Sequence, residues 1–304
     1  MQRVLRKTST GDPDPATGAD VNDPISLEIG GLRILLQFRR NSGDRGEINP
    51  EKDQDRITFH VRQGHIPEIK NKSKVFDSHY VWSLFTSGSR YCLQDVNLSS
   101  PLQPATLIRF ARNFQGGEIY LKKPVRDESV YIDLFGYPIN QILMILLLSF
   151  RRGILVHACG IEDGGRGYLF LGNSTHGKST VAKLWHEHGA TVLNDDRIII
   201  REKNGTFRMY GTPWHGTFTE TSSNSLPVEK IFFLTHGKKN LLVPKTGSEA
   251  VSMLLTRSFP PFWDTLMMEQ ALKLMAGLTE SIPCFELHFL PDGEVVDLIR
   301  RVHQ

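Results

Sequence analysis

The chain has 304 residues, 36 Lys+Arg against 33 Asp+Glu, and a formal net charge of +3. Apolar residues make up 39% and charged residues 23%, a mixture that suits a globular protein and excludes a disordered or collagen-like chain. So small a charge, with no Lys/Arg block, gives no ground for a nucleic-acid partner, and Cys92, Cys159 and Cys284 have no paired spacing, which argues against a disulfide scaffold or a Cys-rich zinc site and for a reducing cytosol.

Met1 to Asp23 is polar and rich in Gly, Pro, Asp and Thr. It lacks the apolar run of a secretory signal and reads as a flexible tail over residues 1–24. The longest apolar stretch, Ile142 to Leu148, is far short of the ~20 residues of a membrane span. The expected protein is cytoplasmic, with no membrane partner.

From Ile25 the pattern alternates. Ile25, Leu27 and Ile29 lead into Gly30-Gly31, and Leu32, Ile34, Leu36 and Phe38 continue the period of two. That predicts a β-hairpin. A charged loop spans Asn41 to Asp55, and Ile57, Phe59 and Val61 predict another strand. His79–Phe85 and Tyr91–Leu93 predict a strand pair. Leu107–Phe114 and Glu118–Lys122, around Gly116-Gly117, predict a second hairpin. Residues 25–136 therefore read as a β-rich, mainly antiparallel N-terminal domain, without an internal repeat.

After Pro138 the period changes. Ile139 to Phe150 is a near-continuous apolar helix. Ile154–His157 and Tyr168–Leu171 predict buried strands around the turn residues Glu162 to Gly165. Residues 172–179, Gly-Asn-Ser-Thr-His-Gly-Lys-Ser, match G-x-x-x-x-G-K-[ST], the P-loop pattern. A strand runs into it, and a helix from Ser179 to His188, stopped by Gly189, runs out of it. Glycines let consecutive N–H groups converge, and the helix N-terminus adds partial positive charge. Lys178 is placed to reach the β/γ-phosphates and Ser179 to ligate Mg²⁺.

Ala190 to Leu193 predicts a short strand ending in Asn194-Asp195-Asp196. A strand–helix–strand crossover makes the two strands parallel, so both end at the ligand-binding edge of the sheet. One carboxylate there can hold Mg²⁺ while the other acts as a base.

The segments Ile154–His157, Gly172–Thr180 and Gly189–Asp196 together resemble the catalytic domain of HPr kinase/phosphorylase and, more broadly, the HPr-kinase-like P-loop kinases related in fold to ATP-dependent phosphoenolpyruvate carboxykinase. Gly211-Thr-Pro-Trp-His-Gly216 also resembles the peptide-modifying branches of that group, including kinases of lasso-peptide precursors. The resemblance covers about residues 137–300 and implies an α/β catalytic domain over 137–304 within a chain that is α+β overall. It implies ATP and Mg²⁺ as cofactors. Gly172, Asn173, Ser174, Thr175, His176, Gly177, Lys178, Ser179 and Thr180 would bind the triphosphate, with Lys178 counted among the catalytic groups. Asp195 matches the family's general base, Asp196 a metal ligand beside Ser179, and His157 a histidine near the transferred phosphate. Homo-oligomers occur in the family.

The sequence departs from HPr kinases proper. Between Ile198 and Glu220 it has neither their glutamate-bearing metal segment nor their Gly-rich substrate signature, so recognition of HPr and phosphorylase activity are not implied. The expected reaction is transfer of the γ-phosphate of ATP to a hydroxyl, such as a Ser side chain, of a peptide, protein or small molecule. The competing reading is an ATP-binding regulatory or interaction protein with little or no phosphotransfer.

Other residues invite weaker readings. His186 and His188 lie two apart on a helix and face different ways. His176 and His215 are candidates to approach the nucleotide, Trp214 to stack on a base or substrate, and Arg257 to approach the phosphates. Each has a bland alternative in a loop, the core or the surface. Residues 262–280 predict a packing helix, Cys284–Phe289 a strand and Glu294–Arg301 a closing helix.

Overall fold

The computed structural model describes residues 24–38, 53, 55–79, 81–95, 104–111, 113–122 and 136–302. The expected tail lies outside them except for Pro24, and the charged loop lies largely outside. By contacts the chain divides into two compact units, one running to Phe150 and the other from Arg151, with residues 29–31 grouped with the second.

The first unit contains β1 (Ile25–Ile29), β2 (Leu32–Phe38), β3 (Arg56–Gln63), β4 (Lys72–Asp77), β5 (Trp82–Ser87), β6 (Arg90–Asp95), β7 (Thr106–Ala111), β8 (Gly116–Leu121) and helix α1 (Ile139–Ser149). The strands form one sheet in the order β1-β2-β3-β8-β7-β6-β5-β4. Gly30 and Gly31 turn β1 into β2 with φ of 60° and 68°, the positive values a two-residue hairpin turn requires. Helix α1, which the sequence places at the head of the second region, groups by contact with this unit and packs on β6.

The sheet is mainly antiparallel, from β4 through β8, while β3 runs parallel to both β2 and β8. One feature corrects the sequence reading: Gly116-Gly117 is not a turn but the start of β8. A Cβ at Gly117 would sit 2.0 Å from the Arg109 carbonyl oxygen, so glycine here permits close approach of β7 to β8.

The second unit contains β9 (Gly153–Asp163), β10 (Arg166–Leu171), α2 (Lys178–Glu187), β11 (Thr191–Asn194), β12 (Arg197–Lys203), β13 (Thr206–Gly211), β14 (Ser225–Pro227), β15 (Lys230–His236), β16 (Leu241–Lys245), α3 (Gly247–Leu255), α4 (Thr265–Ser281), β17 (Cys284–Phe289) and α5 (Glu294–Arg301). The sheet order is β14-β13-β12-β9-β10-β15-β17-β16, with β11 also on β9. β10, β15 and β17 are parallel. β10 and β11 share a direction, as a crossover through α2 demands, but β9 lies between them, antiparallel to both.

Alternation splits the core between two faces. Val181, Ala182 and Trp185 of α2 and Val295, Val296 and Ile299 of α5 pack with Tyr168, Phe170 and Phe232. Ala250 and Leu254 of α3 and Ala271, Leu274, Met275 and Leu278 of α4 pack with Leu169, Leu171 and Phe233. Buried on both faces, β10 and β15 read as continuous apolar runs. A fully buried Val, Leu, Ile, Phe or Met side chain there contributes about 1.5–3 kcal/mol. No described helix is long and apolar enough to cross a membrane.

Candidate functional site

Leu171 ends β10 at full burial, and Gly172 opens the loop. The loop needs left-handed backbone at Thr175 (φ 71°) and at Gly177 (φ 88°), the residue that caps α2. A Cβ at Gly177 would lie 2.6 Å from Cζ of Phe289, so both space and conformation demand glycine. Lys178 then starts α2. The first N–H groups of a helix have no carbonyl partner within it, and here they border the loop.

Lys178 is buried, and its Nζ donates to the carbonyl oxygens of Gly172 (2.9 Å) and Asn173 (3.0 Å). Burial pushes its pKa down, opposed by the charge of Asp196. Asn173, Ser174 and Thr175 are exposed at the loop tip, while Ser179 and Thr180 are half-buried in the first turn of α2. His176 faces inward. Its backbone N–H donates to the Asn173 carbonyl at 3.2 Å, and its ring meets that of His236 edge-on at 6.1 Å. Burial, then the charge of Arg257, lowers its pKa.

The two aspartates sit at a break in the sheet. One edge of β9 pairs first with β12 and then with β11, and Asp195-Asp196 fill the step between those strands. Asn194 builds that step. Its fully buried side chain accepts from the backbone N–H of Asp196 (2.7 Å) and Arg197 (2.9 Å) and donates to the Thr212 carbonyl (2.9 Å). Such Asx bonds let a side chain replace the lost ladder partners.

The two carboxylates differ sharply. Asp195 is 1% exposed. Its Oδ2 accepts from the Ser179 hydroxyl at 2.7 Å and from the Phe218 N–H at 3.0 Å, and its Oδ1 accepts from the Gly216 N–H at 2.7 Å. A Cβ at residue 216 would lie 3.0 Å from both carboxylate oxygens. Asp196 has a side chain 28% exposed, and its Oδ1 receives Nε2 of His157 at 2.9 Å and a guanidinium nitrogen of Arg197 at 2.7 Å. Burial acts upward on its pKa, but the His157 hydrogen bond and the Arg197 charge outweigh this and hold it below the usual carboxylate value.

Ser179, Lys178, Asp195, Asp196 and His157 thus come together through contacts spanning β9, α2 and the β11–β12 step. Gly216, Phe218, Asn194 and Arg197 join them. The segment Gly211–Gly216 was visible as a motif, but the backbone N–H groups of Gly216 and Phe218 carry no side-chain signature. The remaining candidates lie elsewhere in role. Trp214 is half-buried, and His215 is exposed with Nδ1 3.0 Å from the Gly216 carbonyl oxygen. His186 approaches Glu220 at 3.4 Å, and His188 Nδ1 contacts the Leu184 carbonyl at 2.7 Å. Arg257 is tucked over the Phe233 ring at 5.7 Å and donates to the Met253 carbonyl at 2.9 Å. Among the described residues, no three or more His, Cys, Asp or Glu gather as a metal cluster. Magnesium needs less: kinase sites often hold it by one or two carboxylates with substrate phosphates, and the Ser179–Asp195 pair is a hard-oxygen set of that kind.

The second unit is thus a mixed α/β fold in which a strand, a loop of the P-loop pattern and a helix adjoin an aspartate pair. The chain belongs to the ScmC family: the model of that family, described as SynChlorMet cassette protein ScmC, matches residues 129–302. No curated protein matches the chain. A weak structural likeness is found to the Hpr(Ser) kinase/phosphatase from Coxiella burnetii, with 13% identity and a TM-score of 0.32, covering 49% of this chain and 95% of that one.

Proposed function

We propose that this chain is an ATP- and Mg²⁺-dependent phosphotransferase that moves the γ-phosphate to a hydroxyl of a peptide, protein or small molecule. The observation that carries this reading is the 2.7 Å bond between Ser179, in the first helical turn after the loop, and the buried Asp195. A phosphate loop alone serves any nucleotide binder. A loop serine tied to a strand-end carboxylate, with a second carboxylate beside it, is the equipment of transfer.

The contacts favour a division of labour opposite to the one the family resemblance implies. Asp195, buried and saturated by donors, belongs with Ser179 as the pair that would hold Mg²⁺. Bound there, the ion would supply positive charge to the transferring phosphate. Lys178 spans two loop carbonyls, and its ammonium is poised to exchange them for phosphate oxygens. Asp196, partly exposed and kept ionised by His157 and Arg197, is the group to accept the proton of the attacking hydroxyl. His157 orients that carboxylate rather than acting on the phosphate directly.

The test uses γ-labelled ATP, Mg²⁺ and pools of hydroxyl-bearing peptides and metabolites. Label passes to an acceptor with the wild type, and Lys178→Ala, Asp195→Asn and Asp196→Asn each reduce transfer by about 10²-fold or more. Asp196→Asn keeps nucleotide binding, whereas Lys178→Ala weakens it. Tight ATP binding with no transfer to any acceptor overturns the reading.

A further inference from the structure

The carboxylate of Asp196 is gripped on one oxygen. His157 and Arg197 both meet the same oxygen of its carboxylate, Oδ1. They face each other across the β9–β12 ladder, where Arg197 is the direct register partner of His157. Oδ2 receives neither of these partners.

Arg197 is itself held in place. Its guanidinium carbon lies 4.4 Å from the centroid of the Phe259 ring, a cation–π distance. Its side chain is 14% exposed. Its backbone N–H goes to Asn194 and its carbonyl accepts from the Thr212 hydroxyl at 2.7 Å. Phe259 is anchored in turn. Its N–H donates to the Leu155 carbonyl at 2.9 Å, and the adjoining Ser258 bridges to Val156. The prolines 260 and 261 that follow restrict the backbone there.

We infer that Arg197, backed by Phe259, is a positioning residue that pins Oδ1 of Asp196 and so presents Oδ2 to the acceptor hydroxyl. This rests on the phosphotransferase reading above and goes beyond it, since it assigns a role to residues outside the phosphate loop and the aspartate pair. A planar guanidinium suits the task because it can stack on a ring face and donate along its edge at once. Lysine keeps the charge but not that double geometry. Losing the support leaves the Asp196 carboxylate held at Oδ1 by His157 alone, and a misplacement of about 1 Å in such a group costs on the order of 10²-fold in rate.

The test measures nucleotide affinity and transfer separately, in full-length protein, for Arg197→Gln, Arg197→Lys and Phe259→Leu, with labelled ATP and either an acceptor pool or water as acceptor. Arg197→Gln lowers kcat by roughly 10–100-fold while the Kd for ATP and the KM for ATP stay within twofold of wild type. Arg197→Lys recovers part of the loss, and Phe259→Leu, which keeps an apolar side chain and removes the ring face, falls between wild type and Arg197→Gln. Combined with Asp196→Asn, Arg197→Gln adds little, because the carboxylate it orients is already gone. Thermal melts of the same proteins separate loss of folding from loss of positioning. If wild type transfers phosphate and a folded Arg197→Gln does so equally well, or loses ATP affinity and kcat in proportion, the inference is wrong and the phosphotransferase reading stands. If wild type binds ATP and transfers to nothing, water included, both fall.

Discussion

Gly177 shows how much one residue decides. Its φ of 88° is a conformation that side chains disfavour, and the Phe289 ring occupies the space a Cβ would need. Gly177→Ala is therefore expected to destabilise the fold by about 1–3 kcal/mol, read as a lower urea midpoint. It should also weaken nucleotide binding, because relief of the clash moves the loop that Lys178 spans. An unchanged midpoint and unchanged affinity would contradict this account. The loop was legible in the sequence because its physics is local: a few residue types at fixed spacing aim backbone N–H groups at one point. The environment of Asp195 was not. Its donors are a serine hydroxyl and two backbone N–H groups from a segment beyond β13, and backbone groups are the same in every residue. Which aspartate would be buried and which partly exposed was equally hidden, since adjacent identical residues differ only in what surrounds them.

At the scale of elements, the strong periodicities carried through. The helix that opens at Ile139, the strand Cys284–Phe289 and the helix Glu294–Arg301 lie where the pattern places them. Helix α4 begins at Thr265, a few residues after the start its apolar content suggests, because Pro260 and Pro261 precede it and Asp264 caps it, accepting the Met267 N–H at 3.0 Å. Asp264→Ala is expected to lower stability by about 0.5–2 kcal/mol, measured by denaturant unfolding, with transfer activity per folded molecule unchanged. An activity loss larger than the loss of folded protein would show that α4 reaches the site in a way these contacts do not. Elements whose signal is ambiguous were misread or missed. Gly116-Gly117 reads as a turn because glycine pairs usually mark one, whereas here glycine serves close strand contact. The edge strand β4, with its lysines and partial exposure, lacks the alternation that marks a half-buried strand. Charged edges of this sort discourage pairing with other chains, and the same charges hide the strand from a hydrophobic pattern.

At the scale of the whole molecule, a nucleotide that binds only the folded state raises stability by RT ln(1 + [L]/Kd), about 2.7 kcal/mol at a hundredfold excess over Kd. Wild-type protein with ATP and Mg²⁺ is therefore expected to melt a few degrees higher than without them, and the shift should shrink on removal of Mg²⁺ and in Lys178→Ala. Equal shifts in wild type and Lys178→Ala would place the nucleotide somewhere other than the loop. By itself the sequence determined what short-range chemistry can encode: the alternating strands of the first unit, the buried helix after it, the loop of the P-loop pattern between a strand and a helix, and the aspartate pair that follows. Tertiary structure alone decided that β9 runs between β10 and β11, that two of the first sheet's pairings are parallel, and that His157 and Arg197 grip one oxygen of Asp196 while Ser179 reaches Asp195. The physical reason is range. A residue's own conformational preferences act over a turn or a strand, whereas the neighbours that set a carboxylate's burial, partners and charge arrive from strands far apart in sequence, and only the completed sheet brings them within hydrogen-bonding distance.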